Sequence, residues 1–388
     1  MRAFGQPTSP GARGAALGLV VLAAGVVATY ALPGRLFAIG QVVAWLVAAA
    51  GLTILVGQSG QLSLGQAGFM ATGAYATALT QNALYAAGFT VSPPSGASGR
   101  FGASAAPTAA PWTLPVALLA GAAVAAAVGA LLGLAAVRMR GAYLAGATLA
   151  FGLIVTPVTA VVDGLGGEQG LRVHVPRAPD PLGTAVGEGR VRVWVALVAA
   201  ALVLAVLVAA VRGRWGRTLR AARDDEAAAA LVGIPVARVR LAAFVVSAAT
   251  AGLGGGLYVY LTGTVLPGYF GLTTSLFLLV AVVIGGAGRL VGVIGGTLFV
   301  VAVPIVTTEV MAAVNASPAL QARLAGNAPL ALLGLCLVLV TLARPGGRLA
   351  WLRRQVGVRR GARVGSPGVH GPGRDGTGGK PPTRHVPE

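Results

Sequence analysis

The sequence predicts an all-α, polytopic integral membrane protein of about ten transmembrane helices, with one short helix on its cytoplasmic side. Three observations carry that prediction. Of 388 residues, 56% are hydrophobic and only 10% are charged, whereas a soluble domain carries about 25% charged residues. Between Arg35 and Arg100, and again between Arg240 and Arg289, no side chain other than tyrosine can ionise. A helix needs roughly 20 apolar residues to cross about 30 Å of hydrocarbon, so each gap holds more than one crossing. Finally, a formal charge of +19, from 29 cations against 10 acidic residues, has to lie outside the hydrocarbon. Length alone would suggest about two or three domains, but the charge-free gaps favour one polytopic domain.

Apolar runs broken by Gly, Pro and charge fall at 15–32, 36–56, 62–84, 113–137, 141–162, 193–211, 241–262, 272–286, 290–308 and 327–343. The first follows Arg2 and Arg13 but lacks a small-x-small cleavage site ahead of a soluble domain, so it reads as a signal-anchor helix. Cytoplasmic loops collect arginine and lysine. Placing the N-terminus inside puts 22 of the 29 cations on the cytoplasmic side and 7 outside, so both termini are expected in the cytoplasm. The positive charge therefore fixes topology and is no nucleic-acid signature.

The expected organisation is a cytoplasmic segment at 1–14, a transmembrane domain at 15–343, and a disordered Arg, Gly and Pro-rich tail at 344–388. The tail either adheres to anionic membrane lipid or has no function of its own. Within the domain, 87–112 reads as a flexible outer loop. Residues 163–192 form a longer outer loop with Asp163, Glu168, Asp180 and Glu188 beside four arginines. Cys336 is the only cysteine, so no intrachain disulfide can form.

Much chemistry is missing. A Walker A loop needs a lysine after its Gly-rich turn, yet the one lysine, Lys380, sits in the tail. His174, His370 and His385 lie in loops or the tail, which speaks against a membrane-embedded hydrolase. The expectation is a chain that is not an enzyme and binds no cofactor. Ion-coupled transporters keep ionisable groups within the bilayer; here only Asp163 and Glu309, at span ends, are candidates. That lowers the case for a proton-coupled transporter while leaving sodium coupling open.

The cytoplasmic loop 212–240 concentrates Arg212, Arg214, Arg217, Arg220 and Arg223, then Asp224-Asp225-Glu226, then four alanines from Ala227, and finally Gly233 and Pro235. Acidic residues at a helix start cap free N–H groups, and Gly then Pro stop a helix. A short rigid helix of about two turns follows. It is either a capped connector or a coupling helix that sits in a groove on a cytoplasmic motor.

Four stretches together resemble the LivM-type permeases of branched-chain amino-acid ABC transporters, over residues 36–343. The first is Gly60-Gln61-Leu62-Ser63-Leu64-Gly65-Gln66-Ala67-Gly68-Phe69 with Gly73-Ala74-Tyr75, where the family commonly reads TGQLSLGHAAF and then GAY. The second is Arg140-Gly141-Ala142-Tyr143-Leu144-Ala145 with Thr148-Leu149-Ala150-Phe151. The third, Gly166-Gly167-Glu168-Gln169-Gly170-Leu171, is similar to GGxNGL. The fourth runs from Gly216-Arg217-Thr218-Leu219-Arg220-Ala221 through Asp225-Glu226 and Gly233-Ile234-Pro235 to Ala243-Phe244-Val245-Val246-Ser247-Ala248. Glu226-Ala227-Ala228 with Gly233 also resembles the EAA loop of ABC importer permeases, one residue off in the glycine spacing and without its distal Ile-x-Leu-Pro. Gln66 stands where the family usually has His, and Gln169 where it usually has Asn.

The resemblance implies a bacterial inner-membrane permease subunit moving branched-chain or related hydrophobic amino acids. It also implies a homologous second permease subunit, two ABC ATPase subunits that bind the ATP, and an extracytoplasmic binding protein. Arg217, Arg220, Asp225, Glu226, Ala227 and Gly233 would couple to the ATPase. Gln61, Ser63, Gly65, Gln66 and Tyr143 are candidates for the pathway or for packing. Gly288 and Gly292, with Gly296, recur every four residues and suggest a flat packing face. The loop around Gly166 to Gly170 either docks the binding protein or is a solvated connector. Two alternatives stay open: the same machinery with another cargo such as urea, amides or a sugar, and an ion-coupled secondary transporter.

Overall fold

The computed structural model describes residues 10–91, 107–136, 139, 142–177, 185–313 and 330–339. Most of the expected N-terminal segment, the middle of the 87–112 loop and the whole 344–388 tail lie outside the described residues. The helices are α1 (Pro10–Ala31), α2 (Leu36–Gln58), α3 (Gln66–Ala86), α4 (Thr113–Ala136), α5 (Ala142–Val161) and α6 (Glu188–Arg212). There follow α7 (Arg214–Asp224), α8 (Glu226–Leu231), α9 (Val236–Thr262), α10 (Leu272–Gly285), α11 (Leu290–Ala313) and α12 (Leu330–Leu339).

Each of the ten apolar runs holds one helix. Among the described residues seven helices, α1, α2, α4, α5, α6, α9 and α11, are long and apolar enough to cross a membrane, while α10 and α12 are shorter. The all-α polytopic class holds, with seven crossings supported by length and composition where about ten were expected. α3 has 21 residues but carries Gln66, Thr72, Thr77, Gln81 and Asn82. It can be less apolar because most of its first four turns are buried against other helices rather than facing lipid.

α9 is the centre of the bundle, packed against α2, α3 and α4. Close approach explains its run of small residues: a methyl group at Gly73 of α3 would strike the Gly252 backbone, and one at Gly255 would strike the Met70 carbonyl. Small side chains let helix backbones approach in a membrane, where lipid is as apolar as the helix and packing has to supply the association. α1 is peripheral and lies on α6, where Gly14 and Gly18 meet the carbonyls of Ala205 and Ala201.

Connections between the long helices gather at two ends of the bundle. At one end Leu171–Arg172 pairs antiparallel with Thr264–Val265, and Thr90–Val91 pairs with Thr108–Ala109. Two expected loops turn out shorter. α6 begins at Glu188, inside the expected outer loop 163–192, and 212–240 is largely helical, with α7 and α8 between α6 and α9. Residues Met1–Leu337 form one compact unit; of the second, Val338–Glu388, only Val338 and Leu339 are described.

Candidate functional site

The backbone leaves the helix after Gln58 and re-enters it at Gln66, and four other parts of the chain close on this seven-residue break and its edges. Gly57 abuts Gly288 so tightly that a methyl group there would run into the Gly288 backbone. Gly288 belongs to the turn before α11, with φ +90°, a conformation open to glycine at little cost. This corrects the expected glycine face. Gly292 and Gly296 lie on α11 against the Gly285 and Ala281 carbonyls of α10, but Gly288 lies outside the helix.

Polar side chains complete the closure. Gln58 Nε2 donates to the Gly288 carbonyl at 3.0 Å, and Gln58 Oε1 accepts from Arg220 Nη1 at 3.0 Å. Arg223 donates to the Gly57 carbonyl. Gln61 Nε2 reaches the Arg240 carbonyl at 3.2 Å. The Leu64 N–H donates to Thr148 Oγ1 at 3.0 Å, and Gly65 lies against the Thr148 carbonyl. Gln66 is fully buried, its Nε2 directed at the Ala48 carbonyl (3.1 Å) and at the Ser247 carbonyl and hydroxyl (both 3.3 Å). A buried amide needs such partners, since leaving it unpaired costs about 1–3 kcal/mol. Ser63 Oγ is the exception in the break, buried with no hydrogen-bond partner.

The two short helices carry the charges. α7 buries Gly216, Leu219 and Ala222, three residues apart, and turns its arginines to the other faces. α8 is capped as the acidic cluster predicts: Asp225 Oδ1 accepts from the Ala227 and Ala228 N–H groups at 2.9 and 3.0 Å. It ends in a Schellman arrangement, Gly233 (φ +83°) and Ile234 donating to the Ala230 and Ala229 carbonyls. Glu226 pairs with Arg240 at 2.9 Å, joining α8 to the first turns of α9. Ala222, Ala229 and Val236 form a small core beneath. On the free side Ala227 is exposed, and Leu231 and Val232 are 89% and 76% exposed.

The model for the family described as the permease component of the branched-chain amino acid transport system matches residues 34–341. The chain belongs to this family. This permease is 33% identical over 344 residues to the high-affinity branched-chain amino acid transport system permease protein LivM of Escherichia coli K12, covering 83% of this chain and 71% of the relative. It is 32% identical over 348 residues to the Salmonella typhimurium LT2 protein of the same description, covering 82% and 70%. No solved structure matches it.

Within the permease, the anticipated residues fall into two groups. Arg220, Asp225, Glu226, Gly233, Gln61, Ser63, Gly65, Gln66 and Gly288 gather at the break or on α8. Arg217 is exposed on α7, and Tyr143 stands apart in the first turn of α5, 81% exposed. At the other end of the bundle two 3-10 turns, Asp163–Leu165 and Gly167–Gln169, shape the segment around Gly166 to Gly170, and a side chain at Gly170 would strike the Val265 carbonyl. Glu309, a candidate for ion coupling, is paired with Arg35. The sequence reading missed Thr148, Arg223, Arg240 and Ser247 as contributors. A signal existed for Arg240: it is the last cation before a span with no others, 14 residues beyond Glu226.

Proposed function

We propose that this permease is one of two homologous membrane subunits of an inner-membrane ABC importer that carries branched-chain or related hydrophobic amino acids into the cell. In this reading both termini are cytoplasmic and a cytoplasmic ATPase subunit grips α8. Two such ATPases bind the ATP, and an extracytoplasmic binding protein delivers substrate at the opposite end of the bundle. The observation that carries the coupling role is the build of α8: capped at both ends, apolar at its exposed tip, and tied through Glu226 to Arg240.

A motor that moves α8 pulls on three connections at once. The Glu226–Arg240 pair transmits to the start of α9. Gln61, on the Arg240 carbonyl, transmits to the break. Through α7, Arg220 and Arg223 transmit to the end of α2, and Gln58 passes the displacement to the turn before α11. Rigid helices meeting at a non-helical break are the kind of element that switches between two arrangements rather than deforming continuously.

The test is ATP-driven uptake of labelled leucine by the permease reconstituted with its partner subunits. Replacing Leu231 and Val232 together by aspartate is expected to cut uptake by about tenfold or more, while membrane insertion and thermal unfolding stay unchanged. Normal uptake by that variant would sink the coupling role of α8.

A further inference from the structure

A groove of about 590 Å³ opens between α1, α6 and the start of α11, lined by Ala16, Leu17 and Val20 of α1, Val208, Val211 and Arg212 of α6, and Gly288 to Val291. Its walls are apolar apart from two guanidinium groups, Arg212 and Arg289, both exposed. The arginines of the neighbouring break are engaged: Arg220 on Gln58, Arg223 on Gly57 and Arg240 on Glu226. By contrast, among the described residues neither Arg212 nor Arg289 has an ion pair or side-chain hydrogen bond, and no acidic side chain lines the groove. α1 and α11 turn Leu19, Val20, Val27, Val291 and Leu298 outward, so the groove lies on the lipid-facing side at one end of the helices.

We propose that this groove is a binding site for one anionic phospholipid, its phosphate between Arg212 and Arg289 and its first acyl carbons against Leu17, Val20, Val208 and Val291. Charge complementarity singles out this occupant. Basic pockets between membrane helices at the cytoplasmic face suit acidic headgroups, and Arg offers planar, paired donors to phosphate oxygens. A free phosphate would use the cations but leave the apolar wall wet. A second permease subunit would have to bury two unpaired guanidinium groups, a cost the lipid phosphate removes. The bound lipid would bridge the peripheral α1 to the turn that carries Gly288, and so to the break.

The experiment is native mass spectrometry of the full chain purified from nanodiscs made of equal parts phosphatidylglycerol and phosphatidylcholine. The wild-type protein is expected to retain one phosphatidylglycerol in preference to phosphatidylcholine. The R212Q/R289Q double variant should lose that preference by about tenfold or more. R212K/R289K should keep most of it, and R172Q/R177Q, which removes equal charge at the opposite end, should keep all of it. Thermal unfolding of each variant in phosphatidylcholine separates lost binding from lost folding. Equal retention by R212Q/R289Q, or no preference in the wild type, overturns the proposal. So does displacement of the lipid when the second permease subunit is added, which would make this face a subunit contact.

Discussion

At one end of α2, the guanidinium groups of Arg220 and Arg223 reach over from α7 to Gln58 and Gly57, while the Gln58 and Gln61 amides reach outward to backbone carbonyls of the turn before α11 and of α9. Near its other end, Gln41 and Trp45 of the same helix donate to the Tyr269 hydroxyl at 3.0 and 2.9 Å. There Tyr269 stacks on Tyr258 with ring centroids 3.9 Å apart, and Phe270 meets both rings edge to face. Burial, and then the neighbouring Tyr258, push the Tyr269 hydroxyl far above its ordinary range, so it stays neutral at any working pH. The aromatic end uses short, stiff side chains with few rotamers. The polar end uses flexible ones across a backbone that has left the helix. The first arrangement fixes a position; the second can transmit a displacement.

The largest effect is expected where the polar end is packed backbone against backbone. Gly57→Ala forces a methyl group into the Gly288 backbone, and neither partner has a side chain that could yield. Overpacking of this kind costs about 1–3 kcal/mol and sometimes more. The variant should therefore fail to give monodisperse protein in detergent, or unfold many degrees below the wild type. An unchanged unfolding temperature would mean that the contact between α2 and the α11 turn is loose.

Arg240→Ala and Tyr269→Phe test the two ends against each other. Arg240 and Glu226 are both partly solvent-accessible, and such pairs contribute about 0–1 kcal/mol to stability. Thermal unfolding should barely move in Arg240→Ala, while ATP-driven uptake falls by about tenfold or more because α8 has lost its tie to α9. Tyr269→Phe should do the reverse. It leaves Gln41 and Trp45 without their acceptor, at about 1–3 kcal/mol, and lowers the unfolding temperature by several degrees. Uptake per folded molecule should be preserved. If Arg240→Ala unfolds the protein, or Tyr269→Phe abolishes uptake in folded protein, the division of labour between the ends fails.

What the sequence could reveal of this arrangement follows the range of the forces involved. The α8 caps were legible because Asp225, Gly233 and Pro235 act on backbone groups within a few residues. The apolar runs were legible because lipid demands them. α7 was not, since its arginines read as a topology signal and hid the spacing of Gly216, Leu219 and Ala222. Nor were the ties that make the site: Arg220 to Gln58 spans 162 residues and Gln61 to Arg240 spans 179, and no local pattern encodes a partner at that distance. Gly288 misled because a spacing of four is the same number in a turn as in a helix. Gln66 read equally well as a pathway group or a packing group, and only its burial against Ala48 and Ser247 shows an amide bonded inside the bundle.

Ser63 gives the smallest expected effect. Its hydroxyl lies in the break, buried and without a partner, so in this conformation it contributes a desolvation cost and no bond. Ser63→Ala removes the oxygen and leaves the Cβ in place, and should change stability by between zero and about 1 kcal/mol in the stabilising direction. Uptake should be unchanged, because none of the three ties from α8 passes through this side chain. The measurement pairs thermal unfolding with leucine uptake. A fall in uptake without a fall in stability would mean that the hydroxyl acquires a partner in another conformation of the break. The polar end would then hold a group reserved for transport in addition to those that anchor it.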